Sequence, residues 1–321
     1  MKKKRKLSKK RRLNKKRILL AILFVVIIVV GIILIIKGAN KTVENASEEL
    51  GETSQREEQS DDTEEEEKEE VQASKKIDFL EKVNEPVYKK NEKDIKIPIL
   101  IYHNFRTPIP YKEDIYKLFS SEENFDENVK TLLDAGYTFI TLEDLYQYNK
   151  GQRGLPEKVI IITIDDGQIG CYTDAFPVLK KYQVPATIFI VNQLVGTEDY
   201  FNWEQAKEMY DTGLVKIHCH GYSHSEYSSV GKEKLISDYT KSHQEIEEHM
   251  GEEVQKIMAY PAGKSSENTI KWLKEIGFEV QVQTKYGTIN KSRNLDLTGL
   301  GRIRGERATG KEILNAIKAS S

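Results

Sequence analysis

Short apolar runs alternate with amphipathic segments between residues 97 and 318, and this alternation constrains the fold more than any other feature. Near-continuous runs of apolar, largely β-branched residues predict parallel strands that are buried on both faces. The six strand candidates are 97–102, 158–165, 186–191, 214–220, 255–260 and 278–284. The helix candidates lie near 125–136, 142–149, 173–183, 203–212, 232–250, 266–276 and 310–318.

Six or more strand–helix units in about 225 residues predict an α/β fold with an irregular or partly open (β/α)7-type barrel. An open doubly wound sheet is the alternative, but no glycine-rich phosphate loop follows any strand candidate. The composition is 38% hydrophobic and 31% charged. That balance is too polar for a multi-span membrane protein and too apolar for a chain that is disordered throughout.

The segment before this domain is divided by charge. Residues 2–17 include 12 basic side chains and no acidic one, and the 19 residues at 18–36 carry no charge. A helix of that length spans roughly 28 Å, close to the hydrocarbon thickness of a bilayer. We therefore expect a basic cytoplasmic arm at 1–17 and a transmembrane signal-anchor helix at 18–36. A cleavable signal peptide is the alternative, but the apolar run is long and no small-residue cleavage site follows it.

The orientation of this anchor follows from the basic arm. Basic residues beside a membrane span stay in the cytoplasm, so the remainder of the chain is expected outside the cell. In that position the cluster indicates topology and contact with anionic lipid, and we do not expect it to bind nucleic acid.

The segment 37–95 is predicted to be an acidic, disordered linker. Residues 44–70 hold 14 acidic side chains against two basic ones. Such a composition cannot bury enough apolar surface to fold, and its charges keep the chain extended. The linker would hold the folded domain, 96–321, away from the membrane. The net charge of −2 is thus the sum of oppositely charged segments.

Polar residues follow the strand candidates where catalytic side chains gather in parallel α/β folds. The sequence Asp165-Asp166-Gly167 ends the strand candidate at 158–165. Consecutive strand residues point in opposite directions, so one carboxylate could bind a metal while the other faces a substrate. A simple turn is the competing explanation, because turns often contain these residues.

Three of the chain's six histidines, His218, His220 and His224, fall within seven residues. Imidazole and carboxylate groups suit zinc and similar ions. His220 and His224 could converge on one ion across a loop that contains Gly221, and a pair of His218 and His220 on one strand face is a second option. Two histidines and one aspartate would leave coordination positions open for water and substrate, as hydrolysis requires.

Two further strand ends carry candidates. The sequence Tyr260-Pro261-Ala262-Gly263 could present a backbone N–H to a developing oxyanion, although a plain strand-to-helix turn explains it equally well. His103 follows the first strand candidate and is a candidate general acid or a structural histidine.

The motifs together resemble the NodB-type polysaccharide deacetylases, carbohydrate esterase family 4. They are T-I-D-D-G at 163–167, H-G-Y-S-H at 220–224 and A-Y-P-A-G at 259–263, in the order and spacing of that family. The resemblance covers roughly residues 97–305. The opening IPILIYHNF is similar to the branch that deacetylates poly-N-acetylglucosamine of biofilm matrix. In that branch the barrel is circularly permuted, and the acid histidine comes from the first strand.

The resemblance implies a role for each motif residue. Asp166, His220 and His224 would hold a divalent metal, commonly zinc, with cobalt, nickel, manganese or iron as alternatives. Asp165 would be the general base. His103 would protonate the leaving amine, and the Ala262 N–H would help to stabilise the oxyanion.

Some positions depart from the family pattern. Ile164 and Ala262 stand where aromatic residues are usual, and Ala259 replaces an arginine that orients the base in many relatives. The usual C-terminal leucine-x-x-histidine is missing, which leaves His103 as the only candidate acid. No Asp-x-x-Asp-Trp motif is present to tune that acid.

Aromatic residues near the strand ends could stack on sugar rings. We assign Trp203, Tyr222 and Tyr260 to substrate binding, although Trp203 opens a helix candidate and could equally be a packing residue. Trp272, at helical spacing, is expected in the core.

Four other residues capable of chemistry receive structural interpretations. His243 and His249 lie in a charged helix candidate and are expected to be solvated. Cys171 and Cys219 both fall near strand ends, and a location outside the cell would permit a disulfide.

The sequence thus predicts a membrane-anchored, metal-dependent N-deacetylase of an extracellular or cell-wall polysaccharide, either poly-N-acetylglucosamine or peptidoglycan. An O-acetyl esterase with the same metal site and a silent glycan-binding wall protein are the alternatives. The presence of every metal ligand and of the base argues against a silent module. Arg302 and Arg304, after the last strand candidate, could contact an anionic or polar glycan or form ion pairs. The sequence does not indicate which proteins, if any, it binds.

Overall fold

The computed structural model describes residues 86–106, 116–227, 230–289 and 295–320. The expected cytoplasmic arm, transmembrane helix and most of the acidic linker lie outside these residues. Within the described ranges, no helix combines the length and the apolar character needed to cross a membrane.

Thirteen strands occur in the described part of the chain, and we number them in order. They are β1 Val87–Tyr88, β2 Ile97–Tyr102, β3 Asn104–Phe105, β4 Phe119–Ser120, β5 Thr138–Ile140, β6 Leu155–Pro156, β7 Val159–Ile164, β8 Ala186–Ile190, β9 Val215–Cys219, β10 Ile257–Ala259, β11 Val280–Val282, β12 Thr288–Ile289 and β13 Ile303–Arg304. All six strand candidates are confirmed, as β2 and β7 to β11. The strands missed from sequence have two or three residues, too few to show a period.

Seven α-helices occur in the same ranges, and each matches a helix candidate. They are α1 Glu122–Asp134, α2 Leu142–Asn149, α3 Phe176–Tyr182, α4 Trp203–Asp211, α5 Lys232–Met250, α6 Glu267–Glu275 and α7 Gly310–Ala319. Five begin with a side-chain oxygen that accepts a hydrogen bond from the backbone N–H three residues later, which satisfies a donor at the helix start. These capping residues are Ser121, Thr141, Asn202, Ser266 and Thr309.

Nine of the described strands form one curled sheet in the order β11-β10-β9-β8-β7-β2-β12. β13 also pairs with β2, and β5 pairs with the first half of β7. Every pairing is parallel except that of β12 with β2. Backbone hydrogen bonds join residues 297–302 to 281–285 and so extend the curl from β11 toward β13. The sheet is a curled half-barrel, as expected for a partly open α/β barrel.

The core has two layers because successive strand residues point to opposite sides of the sheet. Ile160, Ile162 and Ile164 of β7 pack beneath the helices, whereas Val159 and Ile161 belong to a second cluster inside the curl. Both faces of each strand are therefore buried, which explains the continuous apolar runs in the sequence. At the carboxyl end, the inner row continues into polar side chains.

The folded domain begins earlier than residue 96. Val87 and Tyr88 pair with Pro156 and Leu155, and Ile95 is buried in the inner cluster. Residues 86–95 had been assigned to the linker because they are charged and show no clear period. Their few apolar side chains are nevertheless enough to fix them to the domain.

The approach of β3 to Gly170 gives a test of this packing. Gly170 has ordinary helical angles, φ −61° and ψ −20°, but a Cβ there would lie 2.0 Å from the Phe105 carbonyl oxygen. Since that obstacle is backbone, we expect Gly170→Ala to destabilise the domain by about 3 kcal/mol and to lower its Tm by roughly 5–10 °C. Gly287→Ala is the control, because its Cβ would meet Gly301 at an ordinary 3.5 Å. Equal Tm values for the two variants in calorimetry would contradict this packing.

Candidate active site

The ends of two strands bring Asp166, His220 and His224 together. Asp166 follows β7, His220 follows β9, and His224 lies in the loop before α5. The Nε2 atoms of His220 and His224 lie 3.3 and 3.4 Å from the same Asp166 Oδ1. One candidate ligand atom from each residue lies within 4.8 Å of the others. Of the two histidine pairs considered from sequence, the structure therefore brings together His220 and His224.

The hydrogen bonds of His220 fit a metal ligand. Its Nδ1 lies 3.0 Å from the Ala259 carbonyl oxygen, which can only accept, so Nδ1 donates. In the neutral ring, Nε2 then carries a lone pair that points at the Asp166 carboxylate. Two acceptors face each other, and a divalent cation between them would satisfy both. The residues present thus fit a metal by the chemistry of their donor atoms.

Backbone strain is concentrated at this cluster. Asp166, His224 and Ala262 have φ values of 77°, 54° and 54°, in the left-handed region. Such conformations cost about 1–3 kcal/mol each and persist where surrounding structure imposes them. The turn at Ala262 requires glycine at the next position, because a Cβ on Gly263 would lie 1.9 Å from the Thr284 hydroxyl oxygen. This turn begins at Pro261, two residues after Ala259, whose carbonyl holds His220. The candidate oxyanion donor, the Ala262 N–H, therefore follows closely on a residue that contacts the cluster.

Asp165 is held by an arginine that sequence reasoning did not connect to it. Arg302 Nη1 donates to Asp165 Oδ1 at 2.7 Å, and Nη2 donates to Oδ2 at 2.6 Å. Only 1% of each residue is exposed. Burial alone would raise the pKa of Asp165, but the charge and hydrogen bonds of Arg302 outweigh it and hold that pKa below its ordinary value. Asp165 is therefore ionised at neutral pH. Arg302 occupies the role that is vacant at Ala259.

His103 has a buried carboxylate partner. Its Nδ1 donates to Glu306 Oε1 at 2.6 Å, and its Nε2 lies 4.0 Å from Asp165 Oδ2. Burial would lower the pKa of His103, but the hydrogen bond to Glu306 and the charges of Asp165 and Asp166 raise it above its ordinary value. The bond at Nδ1 fixes the ring and leaves Nε2 to carry a mobile proton toward the site. Glu306 thus supplies the partner that the absent Asp-x-x-Asp-Trp motif would provide.

Sequence reasoning could have weighed Arg302 and Glu306 differently. The sequence indicates only a glycan contact or an ion pair for Arg302 and gives no role for Glu306. The local signal is a charged segment, Arg302 to Glu306, after the last strand candidate, where the barrel must close. Which carboxylate and which histidine these residues meet depends on contacts 137 and 203 residues apart.

The three aromatic candidates differ in their surroundings. Tyr260 is fully buried, and its hydroxyl donates to Gln281 Oε1 at 2.6 Å. The assignment of Tyr260 to sugar stacking is therefore wrong, because its ring faces the helix layer. Trp203 lies parallel to the His249 ring at 4.0 Å, so one face of the indole is used within the protein. Tyr222 is half-buried within the loop that carries His224.

The remaining residues are placed as follows. His243 is buried, with 5% of its surface exposed, and its Nε2 lies 3.2 Å from Glu247. The expectation that it is solvated is wrong, because α5 turns this side toward Phe278. Cys171 and Cys219 are buried and unpaired. Trp272 packs partly buried against the core, and Arg304 pairs with Glu306.

Comparison with known proteins agrees with this fold and identifies a family. A family model described as polysaccharide deacetylase matches residues 152–281. The Bacillus subtilis (strain 168) protein YxkH, which bears the name of that family, is 31% identical over 238 residues, 73% of this chain and 78% of YxkH. A poly-beta-1,6-N-acetyl-D-glucosamine N-deacetylase of Staphylococcus aureus (strain MRSA252) is 29% identical over 218 residues, 61% of this chain and 74% of that protein.

A solved structure extends the comparison to three dimensions. The Streptococcus pyogenes deacetylase PplD, in complex with acetate, matches with a TM-score of 0.64 and 25% identity. The match covers 70% of this chain and 99% of PplD. Fold and motifs together define a NodB-type domain. The chain belongs to the polysaccharide deacetylase family, carbohydrate esterase family 4, as its motifs predict.

The buried Arg302–Asp165 pair gives a second test. Arg302→Met would leave Asp165 without its counter-charge, and we expect a loss of about 3–5 kcal/mol in the free energy of unfolding. The pair lowers the pKa of Asp165 in the folded state, so its stabilising effect is present at neutral pH and is lost as pH falls through that pKa. In Arg302→Met, burial without the counter-charge should raise the pKa of Asp165, so this carboxyl is protonated in the variant at mildly acidic pH. Urea titrations should therefore show the largest difference from wild type near pH 7 and a smaller one near pH 4.

Arg304→Met is the matched control for this test. Arg304 is two residues away in the same segment, and its side chain is half-exposed. We expect it to change stability by no more than about 0.5 kcal/mol. If both variants lose the same free energy of unfolding, the contact between Arg302 and Asp165 does not stabilise the fold more than an exposed ion pair does.

Proposed function

We propose that this protein is a metal-dependent hydrolase that removes N-acetyl groups from an N-acetylhexosamine polymer outside the cell. The observation that carries the proposal is the position of Asp165, paired with Arg302 next to the cluster of Asp166, His220 and His224. Metal-assisted amide hydrolysis needs an ionised base next to the metal. Asp165, ionised and next to three converging candidate ligands, meets that need.

Each residue of the site has a defined task in this proposal. Asp166, His220 and His224 would hold a divalent cation, which when bound supplies Lewis acidity to the acetyl carbonyl and acidifies water. Asp165 accepts the proton of the attacking water. Arg302 keeps Asp165 ionised and fixes both of its oxygens.

His103 completes the reaction on the other side of the scissile bond. It delivers its Nε2 proton to the departing amine, and Glu306 stabilises the protonated ring. The Ala262 N–H would donate to the oxygen of the acetyl carbonyl as negative charge develops on it. An amine needs a proton to leave, whereas an alcohol needs it less, so a buried, carboxylate-supported acid favours N-acetyl over O-acetyl substrates.

The substrate and the cellular location rest on different support. Relatives named poly-beta-1,6-N-acetyl-D-glucosamine N-deacetylase favour poly-N-acetylglucosamine, and peptidoglycan is the second candidate. The apolar segment 18–36 behind a basic arm favours a single-pass anchor with the enzyme outside. Zinc is the first candidate metal for a site of two histidines and one aspartate.

The direct test measures acetate released by the full chain in mild detergent from poly-N-acetylglucosamine, peptidoglycan and acetylxylan, with and without chelator. We expect release from an N-acetylated polymer, its loss with chelator and its return with added zinc. His220→Ala should lose metal and turnover, whereas Asp165→Asn should retain metal and lose at least about 100-fold in kcat. Chelator-resistant release, or full activity of Asp165→Asn, would refute the mechanism, and release from acetylxylan alone would favour an O-acetyl esterase.

The acid assignment predicts a change in the pH profile. Since the hydrogen bond to Glu306 raises the pKa of His103, Glu306→Gln should lower that pKa. The acid must be protonated, so the alkaline limb of kcat/KM should move to lower pH by about one unit. Glu157→Gln, at an exposed position, should leave the profile unchanged. An unmoved alkaline limb in Glu306→Gln would exclude His103 as the acid.

A further inference from the structure

A carboxylate from outside the three motifs, Asp238, accepts several hydrogen bonds from the loop that carries His224. Asp238 lies in the second turn of α5. Its Oδ2 accepts hydrogen bonds from the Tyr222 N–H at 2.6 Å and from the Tyr227 hydroxyl. Its Oδ1 accepts from the Ser223 hydroxyl at 2.8 Å, and the Ser223 N–H adds a longer contact of 3.4 Å to Oδ2.

These donors lie on both sides of His224 in the chain, at positions 222, 223 and 227. The loop also packs directly on the carboxylate. Gly221 has φ +80°, and a Cβ there would lie 3.1 Å from Asp238 Oδ2 and 2.8 Å from the Tyr227 hydroxyl. Asp238 therefore contacts the chain both before and after His224, while the Gln193 N–H adds one backbone hydrogen bond to the Tyr222 carbonyl at 3.0 Å.

The two histidine ligands are positioned by different means. His220 is 2% exposed and is oriented by the Ala259 carbonyl. The side chain of His224 is 42% exposed, so burial does not fix it, and its φ of 54° is a conformation that the loop must impose. Asp238 accepts four of the hydrogen bonds that this loop donates.

We infer that Asp238 is a positioning residue for His224, and that it sets the affinity of the Asp166–His220–His224 cluster for a divalent cation. The inference rests on the proposed function in one respect, since it takes this cluster to be a metal site. Partners that orient metal ligands commonly change metal affinity 10–100-fold when they are removed. Asp238 does not contact His224 itself but orients it indirectly, through hydrogen bonds to the backbone and hydroxyl groups of the loop that carries it.

The test measures cobalt and zinc binding directly, with the full chain and a competing chromophoric chelator. We expect Asp238→Asn and Asp238→Ala to bind both ions about 10–100-fold more weakly than wild type. The visible absorption bands of the cobalt-loaded variants should also change, because His224 no longer holds its place. The Tm of the metal-free variants should stay close to that of metal-free wild type, which separates positioning of the ligand from general loss of fold.

Glu226→Gln is the control in the same loop. Its side chain is exposed and pairs with Lys264, so metal affinity and the cobalt spectrum should match wild type. Wild-type affinity and spectrum in Asp238→Asn would overturn the inference and leave the proposed function intact. No binding of either ion by the wild-type protein would instead refute the metal site itself.

A double-mutant cycle tests the route through Asp238. Ser223→Ala and Tyr227→Phe each remove one donor, and each should weaken cobalt binding several-fold on its own. On the Asp238→Ala background they should have no further effect, because their partner is gone. Additive losses would show that Ser223 and Tyr227 act independently of Asp238. If Asp238→Ala fails to fold, the two single variants still decide, since wild-type affinity in both would contradict the inference.

Discussion

The ion pair of Arg302 and Asp165 joins the parts of the barrel that the site needs. The guanidinium also donates to the Thr163 hydroxyl at 2.9 Å and, through Nε, to the Gln283 carbonyl at 2.8 Å. Thr163 in turn donates to the Leu100 carbonyl in β2. One buried cation thus connects β2, β7, the chain after β11 and the start of β13. A buried charge pair is weak evidence for stability, since apolar residues could fill the same space. Its position fits the proposed chemistry, which requires a base that stays ionised inside an apolar barrel.

The C-terminal segment supplies support to the base and to the acid together. Arg302 contacts Asp165, and Glu306, four residues later, contacts His103. The base and the candidate acid come from strands near the middle and the start of the domain. The hydrogen bonds from Arg302 to Asp165 and from His103 to Glu306 can form only when β13 has paired with β2. Because these contacts span more than a hundred residues, the site is completed by the slowest kind of contact to form in folding.

The sequence predicted local elements and motif residues well, and it failed where long-range pairing decides. Period and apolar content were enough for β7, β9 and the helices, since each reflects burial of its own residues. The motif spacing brought Asp166, His220 and His224 together correctly. Arg302 and Glu306 lie 137 and 203 residues from their targets. Asp238 lies only 11 to 16 residues from its partners, but nothing in the local sequence of these three residues indicates which group they meet. Tyr260 was misassigned for a different reason: Ala259 faces the inside of the barrel, so the next residue must face the helices.

The site consists of two parts with different physical support. Asp165, Arg302, His220 and His103 are buried. Asp165 and Arg302 are hydrogen-bonded to each other, His220 is held by the Ala259 carbonyl, and His103 is held by Glu306, so the barrel itself keeps them in place. His224 belongs to an exposed loop, and its position depends on the hydrogen bonds of that loop to α5. A cation would therefore add most of its ordering effect to the loop, while the base and acid are already in place without it. In the proposed mechanism, this division would let the metal affinity be tuned through the loop without disturbing Asp165, the carboxylate proposed to activate water.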